Sequence, residues 1–222
     1  MNENSIDKSF RNTIAQSKLT TLSSELLEIG IDTFINNEFL KSIPFVNIAI
    51  GLCDVTNKIH SYSLTKKILH FLSEFNSISE KEKTKLFEKI DNNERYSKDF
   101  GERLLLIIEN LDNIEKSMIL GKSIKLFCQD KLNINDFFKL SHILNRGFLD
   151  DLMLIKDFSK AEECDKENLF NLGLLSIRPK MIENGMSGYE VRKRLNQTEY
   201  FINKTGEQMK MVLENYDIPS LK

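Results

Sequence analysis

From Phe100 to Cys128 the chain reads FGERLLLIIENLDNIEKSMILGKSIKLFC, and the fold class follows from how that stretch is spaced. Phe100, Leu104, Ile107, Leu111, Ile114 and Met118 recur at intervals of three and four, and Ile108, Ile119, Leu120, Ile124 and Phe127 widen the stripe. Apolar residues at that period line one side of a helix, so the spacing predicts one long α-helix buried on a broad face. A face that wide needs neighbours on more than one side. Helical patterns near 62–90 and 134–160 flank it and are the natural partners.

Composition agrees with a helical protein. The 222 residues suit one domain, or a helical body with a small appended module. Leu, Ile and 15 Phe dominate the apolar set, against 9 Gly, 3 Pro and no Trp. So few helix breakers favour helices over a sandwich or barrel. With 31 basic and 33 acidic residues the formal charge is −2, which argues against a chain-wide nucleic-acid or acidic-membrane surface and leaves only local patches. Cys53, Cys128 and Cys164 are odd in number and widely spaced, unlike a disulfide scaffold or a zinc site. Three buried thiols in a reducing cytoplasm are expected. Met1 to Leu19 is polar and rich in Ser and Asn, unlike a targeting peptide.

Taken in order, residues 1–20 read as a flexible N-terminus, 21–160 as a helical bundle and 161–222 as a linker with a small winged-helix-like module. A first amphipathic helix is expected over Thr21–Asn36, and the helix pattern returns from Thr56 to Phe75. Ser79 stands three residues before Glu82, the spacing of a capping box, and opens a helix to Ile90. Asn135 is the expected cap of a helix from Asp136 that continues through Gly147 to Phe158. The domain boundary is placed between Phe158 and Glu167. Beyond it, an apolar helix ends at Gly173, and a wing around Asn184–Gly188 separates Ser176–Pro179 from the strand-like Glu199–Asn203. A final helix follows Thr205-Gly206-Glu207.

Ile43 to Cys53 is the most unusual composition, 11 residues without a charge and with Asn47 as the one strongly polar side chain. As a helix it spans roughly 16 Å, about half of a bilayer's hydrocarbon core, too short for a conventional transmembrane span. Pro44 suits the first turn of a helix. Three readings stand: an internal core helix, a contact with a partner or sister subunit, and a membrane-docking segment. Ile43, Pro44, Phe45, Ile48 and Gly51 are the candidate interaction residues, Gly51 because it permits close approach of another helix.

Four groupings are candidates for chemistry. Gly121-Lys122-Ser123 lacks the glycine five residues earlier, where Lys116 stands, and the strand that a phosphate loop requires, and reads as a glycine at a helix crossing. His60 and His70 lie ten residues apart and form no metal-ligand pair by themselves. His142, Arg146 and Asp150, with Asp151 adjoining, line one face if their helix runs unbroken. With Glu102, Glu109, Asp112, Glu115 and Lys116 of the central stretch's less apolar side, they suit acid–base work, a divalent cation or an interhelical ion-pair network. Arg178, Lys180, Arg192, Lys193 and Arg194 surround the wing, with Tyr189, Tyr200 and Phe201 among them. They are a candidate nucleic-acid contact, modest because residues 172–222 hold 8 basic against 6 acidic side chains. No motif calls for a cofactor.

The segment Ile43–Leu52 (IPFVNIAIGL), the run Gly101–Asp112 (GERLLLIIENLD) and Phe148–Leu152 (FLDDL) together resemble a loosely characterised group of small helical bacterial proteins, some associated with phage defence or abortive infection. Leu172–Leu175 with Tyr200–Gly206 is similar to the closing pattern of many winged-helix regulators. The resemblance covers roughly residues 40–206 and implies a defence or stress role in a bacterial cytoplasm or at its membrane, with no active site assigned. The expectation is therefore a mainly α protein, a helical bundle with a small winged-helix-like C-terminal element. Its expected role is a non-enzymatic interaction or effector protein acting through residues 43–53 on a protein partner, a second copy or a membrane. The alternatives are a DNA-binding regulator using the basic set and a metal-dependent hydrolase or nuclease using residues 142–151.

Overall fold

The computed structural model describes residues 5–15, 30, 37–52, 58–180 and 198–214. The protein is mainly α: among the described residues there are eleven α-helices and one two-stranded sheet. The chain divides into two compact units between Asn145 and Arg146, earlier than the boundary expected between Phe158 and Glu167. The reason is packing. Leu154–Lys160 packs on the last helix, and the Leu149–Met153 turn packs on the helix Glu163–Asn171.

The first unit contains α1 (Ser5–Ala15), α2 (Glu38–Lys41), α3 (Pro44–Leu52), α4 (Lys58–Ser73), α5 (Glu80–Asp91), α6 (Phe100–Asn110), α7 (Ile114–Cys128) and most of α8 (Ile134–Arg146). The single long helix expected over 100–128 is two helices. Leu111 turns extended (φ −63°, ψ 136°), and Asn113 caps α7 by accepting the Lys116 N–H at 2.9 Å. Asn competes with a continuing helix because its side chain offers the backbone another partner. Lys67 of α4 completes the break from outside, its ammonium donating to the carbonyls of Glu109 and Leu111.

Residues 5–15 correct the expectation of a flexible N-terminus. Their polar composition hides a helical period: Phe10 and Ile14 are buried to 1% and 0% exposure, and Thr13 is buried beside them. Phe10 enters a run of phenylalanine rings that joins four other α-helices and the 3₁₀ turn Glu74–Ser77. Its ring lies 5.4 Å from Phe45, 6.4 Å from Phe75 and 5.8 Å from Phe100, which leads on to Phe137 at 6.1 Å and Phe127 at 6.2 Å. Edge and offset ring pairs of this kind add to the stabilisation from burial alone. The helix expected over Thr21–Asn36 lies, but for Gly30, outside the described residues.

α4 packs along α7, and Gly121 marks the crossing, where a Cβ would stand 2.8 Å from both the Glu74 side chain and the Phe71 carbonyl oxygen. The Ser79 capping box forms in full, Glu82 accepting from the Ser79 backbone N–H at 2.8 Å. α8 starts before the expected Asp136. Its cap is Asn133 in place of Asn135, accepting the Asp136 N–H at 2.8 Å, because Ile134 and Phe137 must both turn inward.

The second unit holds α9 (Leu149–Met153), a 3₁₀ stretch Leu154–Lys160, α10 (Glu163–Asn171), β1 (Leu175–Pro179), β2 (Thr198–Ile202) and α11 (Lys204–Glu214). β1 and β2 are antiparallel, with Ile177 opposite Tyr200. α10 ends at Gly173 in the left-handed region (φ 79°), the Leu174 N–H returning to the Leu169 carbonyl at 3.0 Å. Asn203 fastens the element: its amide nitrogen donates to the carbonyls of Gly173 and Leu175, both at 3.0 Å, and its Oδ1 accepts the Gly206 N–H at 3.0 Å. Helix, strand, strand, helix is the expected winged-helix-like order, although the wing at 184–188 lies outside the described residues.

Candidate functional site

The uncharged segment forms α3, with Pro44 at its first position, where no backbone donor is needed. The next N–H, of Phe45, is donated to Thr13 Oγ1 of α1 at 2.9 Å. The helix then divides its residues between two environments. Ile43 (2% exposed), Phe45 (0%) and Val46 (0%) are core, so Ile43 and Phe45, two of the expected interaction residues, are not on the accessible surface. Pro44, Ile48 and Ile50 are half-buried, and Asn47 and Gly51 are exposed. Pro44, Ile48 and Gly51 follow one another at four and three residues, one line along a helix, with Asn47 beside them. A Cβ at Gly51 would meet nothing within 4 Å among the described residues. Cys53 lies outside the described residues.

The polar row of residues 142–151 does not form as expected. α8 stops at Arg146 and a new helix starts at Leu149, with Phe148 extended between them (φ −65°, ψ 141°). Gly147 makes the bend, and a Cβ there would press on Leu172 at 2.9 Å and Leu152 at 3.1 Å. His142, Arg146 and Asp150 are exposed, and Asp151 accepts a hydrogen bond from Asn168 at 3.3 Å. Among the described residues no group of three His, Cys, Asp or Glu side chains is placed to hold a metal ion.

The basic set is partly neutralised. Arg178 pairs with Glu199 across the sheet at 2.7 Å and lies over the Phe201 ring at 5.2 Å. Lys180 follows β1, while Arg192, Lys193 and Arg194 lie outside the described residues. A surface pocket of about 360 Å³ lies in this unit, with Phe158, Tyr200, Glu163, Lys166, Lys180 and Glu199 on its walls. Both of its carboxylates face cations, Glu163 to Lys166 at 3.6 Å and Glu199 to Arg178. No family model, curated protein or solved structure matches the chain.

The thiols and lysines show what sequence pattern missed. Cys128 is buried, and desolvation pushes its pKa to about 12, whereas Cys164 is exposed, against the expectation of buried thiols. Lys116, expected on the less apolar side of the central stretch, is wholly buried, its ammonium 2.8 Å from Asp112. Burial pulls the Lys67 ammonium below its ordinary range, with Asp112 and Glu109 opposing. His60 meets Glu109 at 3.3 Å beside the same helix break. These charges close the α6–α7 break. An apolar run interrupted by Asp112-Asn113 is the signal that could have revealed it.

Asp7 of α1 is a further residue that composition conceals. It is 9% exposed, and its Oδ1 accepts the Gly101 N–H at the start of α6, 2.6 Å away. Its Oδ2 is buried with no partner among the described residues, and so is Asp99 Oδ1. Asp99, the formal N-cap of α6, makes no capping bond with its side chain. Burial raises the Asp7 pKa, the Gly101 N–H and Arg11 oppose the rise, and Asp99 and Glu102 add to it. No described helix is long and apolar enough to cross a membrane.

Proposed function

We propose that this is an interaction protein whose contact surface is the outer line of α3, Pro44, Ile48 and Gly51 with Asn47, seated on a protein partner or a second copy of the chain. One observation carries the reading: a helix with no charge from Ile43 to Leu52 keeps this line accessible while its other side is core. An accessible face of Pro, Asn, Ile and Gly gains little from water, and its terminal glycine admits a second backbone closely. The resemblance to bacterial defence proteins adds an effector role to this proposal. The partial pairing of Arg178 makes the DNA-binding reading the weaker one.

Ile48→Asp tests it. Ile48 is only half-buried, so the variant stays folded by circular dichroism. Light scattering after size-exclusion chromatography is expected to show a smaller species than wild type. A fall in liposome flotation without a change in mass would transfer the contact to a lipid surface. A wild type that is monomeric and never floats, with a variant identical to it, overturns the proposal.

A further inference from the structure

The pocket of the second unit draws its walls from three places in the chain. Phe158 comes from the 3₁₀ stretch, Glu163 and Lys166 from the first turn of α10, and Lys180 and Tyr200 from the sheet and its end. Its volume of about 360 Å³ lies at the low end of the roughly 300–1,000 Å³ common in small-molecule sites. That is more than a bare phosphate fills, and it suits a ligand built of a ring and a charged group.

Strand alternation sorts the charges. Thr198 and Tyr200 share one face of β2, and Glu199 belongs to the other. Arg178 stands opposite Glu199 in register and holds it at 2.7 Å, so that carboxylate is already matched. The other charged groups of the wall are two ammoniums, Lys166 and Lys180, against one carboxylate, Glu163. Glu163 is a loose partner. It lies 3.6 Å from Lys166 and keeps 73% of its side-chain surface exposed, whereas Lys166 keeps 28%. A pair of that kind contributes little, so Lys166 can exchange it for a doubly charged anion at small cost. Lysines are ordinarily exposed, yet Lys166 and Lys180 are both half-buried. Phe158 and Tyr200 are half-buried too, and the Phe170 ring steadies Tyr200 edge-on at 5.7 Å.

Two cations beside two partly accessible rings call for a ligand with an anionic end and a flat one. We propose that this pocket binds a nucleoside monophosphate, its phosphate held by Lys166 and Lys180 and its base lying against Tyr200 and Phe158. Isothermal titration calorimetry of the full chain with AMP, GMP, CMP and UMP tests this. The matching nucleosides, inorganic phosphate and a 5′-phosphorylated oligothymidylate are the other arms. At least one nucleotide is expected to bind one to one, on the order of 10-fold tighter than its nucleoside and than inorganic phosphate. Lys166→Gln and Lys180→Gln should each weaken that binding on the order of 10-fold, with the circular dichroism spectrum unchanged. Tyr200→Leu should weaken it similarly by removing a ring face, and Lys81→Gln on α5 of the first unit should leave it unchanged. Binding of none of the four nucleotides overturns the proposal, and so does an affinity that both lysine variants leave intact. A nucleoside or inorganic phosphate bound as tightly as the nucleotide overturns the pairing of anion with ring. Tighter binding of the oligonucleotide than of every mononucleotide overturns the assignment in favour of a strand end.

Discussion

Replacing Asp7 by Asn is expected to stabilise the protein, a direction opposite to that of most core substitutions. The side chain is nearly fully buried, with one oxygen bonded to the Gly101 N–H and the other without a partner among the described residues. Asparagine keeps the accepting oxygen, abolishes the buried charge repelled by Asp99 and Glu102, and turns the unmet acceptor into a donor. An unsatisfied buried polar group costs about 1–3 kcal/mol, and more when charged, so a gain of about 1 kcal/mol is a restrained expectation. In a domain of this size that raises Tm by roughly 2–4 °C. Asp7→Ala loses the cap as well, and caps are worth about 0.5–2 kcal/mol, so it should fall below Asp7→Asn by that amount. The pH dependence fixes the cause. Because the folded-state pKa lies above the unfolded value near 3.8, ionisation weakens the fold. The deficit is absent below the unfolded pKa, grows as pH rises toward the folded one, and is complete above it. Urea titrations followed by circular dichroism at pH 7 and at pH 3.5 should show a gap between wild type and Asp7→Asn that closes in acid. An Asn variant less stable than wild type at pH 7 would refute the reasoning.

Two further outcomes are expected. At Gly206 a Cβ would run into the Leu174 carbonyl oxygen and stand 2.6 Å from Ile202 Cγ2, so Gly206→Ala should destabilise the second unit by about 1–3 kcal/mol, read as earlier cleavage of residues 146–214 in limited proteolysis. Cys164 is exposed and Cys128 is held protonated to about pH 12, so iodoacetamide at pH 8 with peptide mass mapping should label Cys164 in the native protein and Cys128 only after denaturation; native labelling of Cys128 at a comparable rate would contradict its burial.

Local rules were legible in the sequence wherever a single residue type answers a single backbone need. Pro44 opens α3, Ser79 and Glu82 cap α5, Gly121 permits the α4–α7 crossing and Gly173 ends α10. Breaks inside an apolar pattern were not. Leu111 is buried on an extended backbone, so the stripe continues across a point where the helix does not. Gly147 ends α8, so His142 and Arg146 do not share an unbroken helix with Asp150, and a Cβ at Gly147 would press on Leu172 and Leu152. α1 escaped for the converse reason. Its buried polar residues, Asp7 and Thr13, serve helices far along the chain, and no local pattern records a cap supplied from a distance. The inward side of α3 was legible from its composition, but its division into core and accessible lines depended on where α1 lies.

The caps supplied by α1 also impose an order on synthesis. Asp7 and Gly101 are 94 residues apart, and at roughly 5–20 residues per second the ribosome needs about 5–20 s to deliver one after the other. Phe137, two rings along from Phe10, comes later still. α3 is complete once Leu52 is made, so for about the second half of that interval it stands with its uncharged sequence and with Phe45 lacking the Phe100 end of the ring cluster. The nascent chain therefore carries its most apolar helix before the groups that complete its cover exist, which makes these seconds the period of greatest demand for a chaperone.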